Sequence, residues 1–175
     1  AKTSISISSR DKEIIQKNKL PSNFVALAIG GEWDYRTYNK WNFVIEKLIS
    51  QDNDLNIILV GSDNAIDSAR VIMDKFSKYK VNSYVAKLTF NQTAEIISRA
   101  KILLCCDGGL MHSANAVNTT IVALFARLTE EMQLTESISS FSLFDKDNVN
   151  NILVEDILNK YKEASIFVHN HPLDG

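Results

Sequence analysis

Glycine is scarce in this 175-residue chain, and nearly all of it stands where apolar, strand-like runs end. Of the 6 glycines, five lie in three loops, namely Gly30-Gly31, Gly61-Ser62-Asp63 and Asp107-Gly108-Gly109. A glycine lets a ligand approach the backbone closely and leaves neighbouring N–H groups free to donate to an anion. These residue types in these positions therefore predict a site for an anion such as a phosphate.

The loop Asp107–His112 carries the strongest signal, because it is predicted to join a buried strand to a helix. The free N–H groups of a first helical turn and the helix dipole favour a phosphate or diphosphate. His112 lies in or just before that turn and could donate a hydrogen bond to the same anion. The alternative is that Asp107 merely caps the helix and His112 is a surface residue. The sequence leaves both open.

The loop of residues 30–41 is rich in aromatic residues and carries two cations, Arg36 and Lys40. Cations that face an anion site at a helix start would complete a diphosphate clamp. The alternative is that Trp41 packs under the following helix while Lys40 is solvated. For Trp41 we favour packing, since a tryptophan at the start of an apolar helix usually buries its ring.

Asp63 follows the second predicted strand. An acidic residue at this place in nucleotide-binding folds often accepts hydrogen bonds from ribose hydroxyls. An ordinary helix N-cap at Ser62 or Asp63 explains the same residues equally well.

Several kinds of site are not expected in this sequence. The chain has neither GxGxxG nor GxxxxGK[ST], which disfavours nicotinamide and P-loop sites. It also lacks HExxH, a Cys/His cluster and GxSxG, and His169 and His171 have no evident partners for a metal. Nucleophilic or metal-centred catalysis within the chain is therefore not expected, and we predict no cofactor and no metal.

Composition narrows the class of protein further. A net charge of −2 gives no support for nucleic-acid binding, and 45% hydrophobic residues suffice for one packed domain. No apolar run approaches the ~20 residues of a transmembrane helix, and no N-terminal signal pattern is present. Cys105 and Cys106 are neighbours that cannot readily bridge, so we predict reduced packing residues in a cytoplasmic protein.

Strand-like and helical patterns alternate from Phe24 onward. The predicted strands are residues 24–29, 55–60, 83–86, 102–106 and 120–125. The predicted helices begin near Asn42, Ala65 and Thr89, and two more span 111–117 and 154–164. This alternation is typical of an α/β fold with a doubly wound parallel sheet, whereas residues 127–150 are less regular. Residues 1–23 are predicted to be an approach segment or linker with a short helix at Asp11–Leu20, and residues 24–175 a single domain.

The segment Asp107-Gly-Gly-Leu-Met-His112-Ser-Ala114 resembles the signature Asp-Ser/Thr-Gly-x-x-His-x-Ala of the ADP-heptose:lipopolysaccharide heptosyltransferase family (glycosyltransferase family nine). Features that flank this signature occur along the chain in the same order as in the family. A first strand runs into a glycine loop that ends in Lys40-Trp41, and a helix containing Leu88-Thr89…Glu95-Ile96 precedes the signature. The resemblance extends from about Phe24 to Phe125.

The resemblance implies a Rossmann-like α/β domain, the C-terminal half of a two-domain GT-B enzyme. Such a half binds the nucleoside-diphosphate sugar, for example ADP-heptose, for inverting transfer to a lipopolysaccharide-core or related glycan acceptor. The N-terminal domain, absent from this chain, would bind the lipid-linked or oligosaccharide acceptor and carry the catalytic base, so the isolated domain is expected to be inactive. The full-length protein would be cytoplasmic, or peripheral at the inner face of the cytoplasmic membrane.

The same resemblance assigns residues to the donor. It places Gly30, Gly31, Asp107, Gly108, Gly109, Leu110 and His112 around the diphosphate and sugar, Lys40 at the phosphates, Asp63 at the ribose and Leu88 near the base. Two departures concern the donor sugar. Gly108 replaces the usual serine or threonine and so removes a hydroxyl, and Lys40 immediately precedes the tryptophan, where the family lysine often stands one residue earlier.

A different class of function fits the same residues. A non-catalytic nucleotide- or phosphosugar-binding α/β module, acting as a sensor or regulatory domain, would need the glycine loops and the helix start but no partner domain.

Overall fold

Continuous apolar runs form a central sheet whose two faces are both covered. The computed structural model describes residues 9–10, 12–13, 19–128 and 141–171. Its strands are β1 (Val25–Ala28), β2 (Ile57–Val60), β3 (Val81–Ser83), β4 (Ile102–Cys106), β5 (Thr120–Ala126) and β6 (Phe141–Asp145). The six-stranded sheet has the order β3-β2-β1-β4-β5-β6, and every neighbouring pair is parallel. The predicted doubly wound α/β fold is confirmed, and its strand order reverses between β1 and β4.

Helices cover the two faces and divide the core into two layers. They are α1 (Trp41–Gln51), α2 (Ile66–Lys75), α3 (Phe90–Arg99), α4 (Gly109–Ala116) and α5 (Val154–Asn170), with short 3-10 turns at Asp34–Arg36, Asp63–Ala65 and Val149–Asn151. The alternation of a strand decides which layer each residue joins. Val25 and Leu27 pack in the layer of α1, α2 and α5, whereas Ala26 packs in the layer of α3 and α4.

Local signals explain several of the boundaries. Thr89 and Gln92 form the predicted capping box of α3, since Gln92 N donates to Thr89 Oγ1 at 3.2 Å and Thr89 N to Gln92 Oε1 at 3.0 Å. The third strand, predicted at 83–86, lies at Val81–Ser83 instead. It ends there because Val85 N donates to Ser83 Oγ and Ala86 adopts a left-handed φ of 58°.

Other boundaries differ from the prediction at the C-terminal side. Strand β6 falls within residues 127–150, which were predicted to be irregular. Its mixed sequence Phe-Ser-Leu-Phe-Asp gives little strand signal, because the strand is only half-buried at the edge of the sheet. Helix α4 begins two residues before the predicted Met111, and α5 continues six residues past Ala164. Of the predicted helix Asp11–Leu20, residues 12–13 are helical and 19–20 are not, and the rest lies outside the described residues.

None of the helices in the described ranges combines the length and apolar composition that crossing a bilayer requires.

Candidate functional site

A cavity of about 380 Å³ opens at the carboxyl ends of β1, β2 and β4, where the strand order reverses. This is the place where open α/β sheets bind ligands. Its wall is formed by the loop after β1, the loop after β2 and the start of α4, through residues 28–33, Arg36, Gly61, Ser62, Asn64 and 106–110. The three glycine loops of the sequence therefore meet at one cavity.

The start of α4 presents backbone donors to this cavity. Gly108 is the N-cap residue, and no side chain forms a capping hydrogen bond there. The first N–H groups of any helix lack intrahelical acceptors, and here they remain uncapped beside the cavity wall of Gly108, Gly109 and Leu110. The alternative in which Asp107 caps the helix is not seen. A helix start of this kind is a place where proteins bind anions.

Asp107 and His112 stand together at the edge of the same helix start. Asp107 lines the cavity, and its carboxylate Oδ1 lies 4.0 Å from His112 Nε2. The His112 side chain is 52% exposed on the first turn of α4 and is not part of the cavity wall. The carboxylate can orient the imidazole.

Six of the predicted donor residues lie in the wall of the cavity: Gly30, Gly31, Asp107, Gly108, Gly109 and Leu110. Four others do not, namely Lys40, Asp63, Leu88 and His112. Asp63 is exposed in a 3-10 turn whose neighbours Ser62 and Asn64 line the cavity, and Leu88 is half-buried against the layer of α3 and α4. Ser62 occupies the N-cap position of that turn but makes no capping hydrogen bond.

Lys40, the remaining predicted donor residue, is held outside the cavity wall. Its Nζ donates to the carbonyl oxygen of Asn150 at 3.1 Å, and Asn39 N donates to Asn150 Oδ1 at 2.8 Å. Trp41 is buried, with its ring edge-on to Tyr38 at 5.0 Å between centroids. The packing interpretation of Trp41 is confirmed.

Arg36 is the cation that the structure places at the cavity. It lines the wall, and its Nε is buried without a hydrogen-bond partner among the described residues. The guanidinium lies 5.6 Å from the centroid of the Tyr35 ring. The sequence indicated both Arg36 and Lys40 as cations of the first loop, but the family resemblance placed Lys40, and not Arg36, at the phosphates.

Close approach between loops explains two of the glycines. A Cβ on Gly30, whose φ is +82°, would lie 2.6 Å from the Cβ of Ala65. A Cβ on Gly61, whose φ is +155°, would lie 2.6 Å from the carbonyl oxygen of Ile29. Glycine is therefore required where the loops after β1 and β2 pack against each other at the floor of the cavity.

The thiol at the cavity wall is not a nucleophile at neutral pH. Burial raises the pKa of Cys106 to about 12, with a smaller contribution from Asp107 in the same direction. Burial also raises the pKa of Tyr38 to about 12, and the Tyr38 hydroxyl donates to the carbonyl oxygen of Ile152 at 3.0 Å. In the described part of the chain, no three His, Cys, Asp or Glu side chains are grouped to hold a metal ion.

Comparison with protein families gives a match to glycosyltransferase family 9 (heptosyltransferase) over residues 2–151. The match covers well over half of the chain. The chain belongs to glycosyltransferase family 9. Comparison with curated proteins gives no significant match.

Solved structures with the fold of this family 9 chain have low sequence identity to it. E. coli ADP-heptose lps heptosyltransferase II matches with a TM-score of 0.77 and 16% identity, covering 95% of this chain and 54% of that one. E. coli heptosyltransferase WaaC with ADP matches with a TM-score of 0.65 and 14% identity, covering 82% and 44%. Methanocaldococcus jannaschii UDP-GlcNAc 2-epimerase matches with a TM-score of 0.64 and 15% identity, covering 90% and 42%. The family 9 chain thus spans about half the length of these proteins.

Within the family signature, Ser113 is a buried polar residue with no partner. Its side chain is fully buried, and Oγ has no hydrogen-bond partner among the described residues. Replacing it with alanine removes an unsatisfied hydroxyl, so we expect Ser113→Ala to raise the free energy of unfolding by about 1–2 kcal/mol. Urea denaturation followed by circular dichroism measures this change. The control is Ser98→Ala, which removes a hydroxyl that donates to the carbonyl oxygen of Glu95 and should destabilise the protein. A loss of stability in Ser113→Ala would contradict the prediction.

Proposed function

We propose that this chain is the donor-binding half of an inverting glycosyltransferase, which moves a heptose or similar sugar from a nucleoside-diphosphate sugar to a lipopolysaccharide-core or related glycan acceptor. The observation that carries the proposal is the cavity at the strand-order reversal. It combines the uncapped start of α4 with the guanidinium of Arg36, whose Nε has no hydrogen-bond partner in the described part of the chain. Donors and a cation around one cavity match the charge of a diphosphate. Membership of a glycosyltransferase family supports the same donor.

We further propose that residues 24–175 are the C-terminal half of a GT-B enzyme and residues 1–23 a linker. The chain matches about half the length of the heptosyltransferase II structure, which leaves room in such an enzyme for a second domain. That second domain would bind the acceptor and carry the base. Sugar transfer would then require both domains, so this half alone binds the donor without transferring its sugar.

In the proposed reaction, an acceptor hydroxyl oxygen attacks the anomeric carbon of the donor sugar. The new bond forms as the bond from that carbon to the diphosphate oxygen breaks, and the nucleoside diphosphate leaves with the electron pair. The acceptor proton goes to a base on the other domain. Within this chain, the N–H groups of α4 and the Arg36 guanidinium stabilise the charge that grows on the leaving diphosphate.

His112 and Asp107 are placed to support the same leaving group. The imidazole of His112 stands on the first turn of α4 and can donate a hydrogen bond to a phosphate oxygen at the cavity mouth. The carboxylate oxygen Oδ1 of Asp107 lies 4.0 Å from His112 Nε2, close enough to orient the ring. Cys106 stays a neutral thiol, consistent with a single displacement that needs no protein nucleophile in this half.

A binding panel tests the proposal. We expect calorimetric titration of the chain with ADP, UDP, GDP and CMP to show a clear preference for one nucleoside diphosphate. His112→Ala should weaken binding of that ligand by about tenfold, the usual loss for a hydrogen bond to a charged group. Asp107→Ala should also weaken binding, though less, because it removes the carboxylate that lies 4.0 Å from the His112 ring and can orient it. His169→Ala, an exposed histidine on α5, serves as the matched control and should bind as the parent does. Equally weak binding of every nucleotide, or unchanged affinity in both variants, would refute the proposed donor site.

A further inference from the structure

One large apolar side chain in the wall of the cavity is about half exposed. Trp33 lines the cavity and leaves 53% of its surface exposed. Neighbouring parts of the wall are glycines and polar residues. Leaving an indole in water forgoes the stabilisation that its burial would give, so a ligand that covers it would gain that contact.

The loop holds the backbone of Trp33 in a fixed position. The Trp33 carbonyl oxygen accepts hydrogen bonds from Arg36 N at 3.0 Å and from Thr37 Oγ1 at 2.8 Å. Gly30 packs against Ala65, and a Cβ on Gly31 would collide with Thr37 Oγ1. Because its backbone is fixed before any ligand arrives, only the side-chain rotamer of Trp33 has to be ordered on binding.

Trp33 lines the same cavity as the start of α4, which contributes Gly109 and Leu110 to the wall. Leu110 also packs in the layer of α3 and α4. A nucleoside diphosphate sugar whose phosphates lie at the start of α4 can therefore place its sugar ring against Trp33 within this cavity.

We propose that Trp33 is a specificity-determining platform on which the donor's sugar ring stacks, an inference that rests on the proposed donor site. One face of a pyranose ring consists of C–H groups, which pack on an indole as other apolar surfaces do. Glu32 lines the wall directly before Trp33 and is exposed, so its carboxylate can accept hydrogen bonds from sugar hydroxyls beside the stacked face. Hydroxyl positions that reach Glu32 would then distinguish one sugar from another.

Saturation-transfer NMR on the full chain tests the platform, with ADP-heptose and ADP as the probes. In the parent protein we expect transfer to the sugar-ring protons as well as to the adenine protons. Trp33→Ala should lower the sugar signals relative to adenine by at least about half and weaken ADP-heptose about tenfold, while ADP affinity changes less than about twofold. Trp33→Phe, which keeps an aromatic face, should retain most of the sugar signal.

Phe43→Ala is the matched control, because Phe43 is a similarly exposed aromatic residue, 49% exposed on α1, that is not in the cavity wall. This substitution should change neither the affinity nor the saturation-transfer signals of ADP and ADP-heptose. Equal losses for sugar and adenine in Trp33→Ala would show that the indole contacts the base or only shapes the loop, and would overturn the inference. Unchanged sugar signals would overturn it too. If the parent binds neither ADP nor any other nucleotide of the binding panel, the proposed donor site itself fails, a result distinct from a normal ADP affinity with no dependence on Trp33.

Discussion

Replacing Arg36 with alanine should weaken ADP binding by about 30-fold, the largest loss we expect from any single charge in the chain. The guanidinium lines the cavity, and its Nε is buried without a partner among the described residues. A buried donor without an acceptor is costly, so a phosphate oxygen that satisfies it contributes strongly to binding. Calorimetric titration with ADP measures the loss. Arg36→Lys should recover only part of the affinity, because an ammonium cannot reproduce the planar fork of donors.

Lys40→Ala provides the comparison for Arg36. Lys40 Nζ donates to the Asn150 carbonyl oxygen, a contact that ties the loop after β1 to the 3-10 turn Val149–Asn151. We therefore expect ADP affinity to change less than about threefold, while the free energy of unfolding falls by about 1 kcal/mol for the lost hydrogen bond. A larger loss of ADP binding in Lys40→Ala than in Arg36→Ala would contradict this prediction. It would show that Lys40 is the cation that contacts the phosphates, as the family resemblance implies.

Replacing Gly30 with alanine should lower the free energy of unfolding by about 3 kcal/mol, through backbone strain and overpacking together. The φ of Gly30 is +82°, and its new methyl group would lie 2.6 Å from the Ala65 Cβ and 2.7 Å from Asn64 Oδ1. Ala65 cannot retreat easily, since it is fully buried in the turn after β2, whereas Asn64 Oδ1 is the end of an exposed side chain that can rotate away. Urea denaturation by circular dichroism measures the change.

The control for this substitution is Gly108→Ala in the same cavity. Gly108 has an extended backbone, φ 162°, and nothing lies within 4 Å of where its Cβ would stand. We expect the free energy of unfolding to fall by no more than about 1 kcal/mol, the cost of placing alanine at the N-cap position of α4. Similar losses at both glycines would mean that glycine flexibility in general, rather than crowding at Gly30, sets the stability of these loops.

Much of the fold could be predicted because its strongest signals are local. The continuous apolar run at Phe24–Ile29 indicated a strand covered on both faces, and Thr89 with Gln92 indicated a helix start. Strand β6 escaped prediction because a half-buried edge strand carries little apolar signal. The end of β3 escaped for another reason. It depends on the left-handed backbone of Ala86, a residue type that gives no warning of it.

The location of the candidate site was also predictable, whereas the direction of its side chains was not. Parallel strands bring their carboxyl ends to one edge, so glycines at the ends of β1, β2 and β4 had to meet. Which cation faces the cavity depends on the turn Asp34–Arg36 and on Asn150, more than a hundred residues away in sequence, which holds Lys40. The exposure of Trp33 likewise follows from loop geometry that its sequence neighbours do not encode.

The open space beside Gly108 makes the cavity adjustable without rebuilding the protein. Gly30 and Gly61 are fixed by crowding, but a side chain at Gly108 meets no neighbour and needs no unusual backbone. Variation at this one residue can reshape the cavity while the sheet keeps its stability. Gly108 is therefore the natural place to engineer an enlarged or reduced pocket for a synthetic donor, or to attach a reporter through an introduced cysteine.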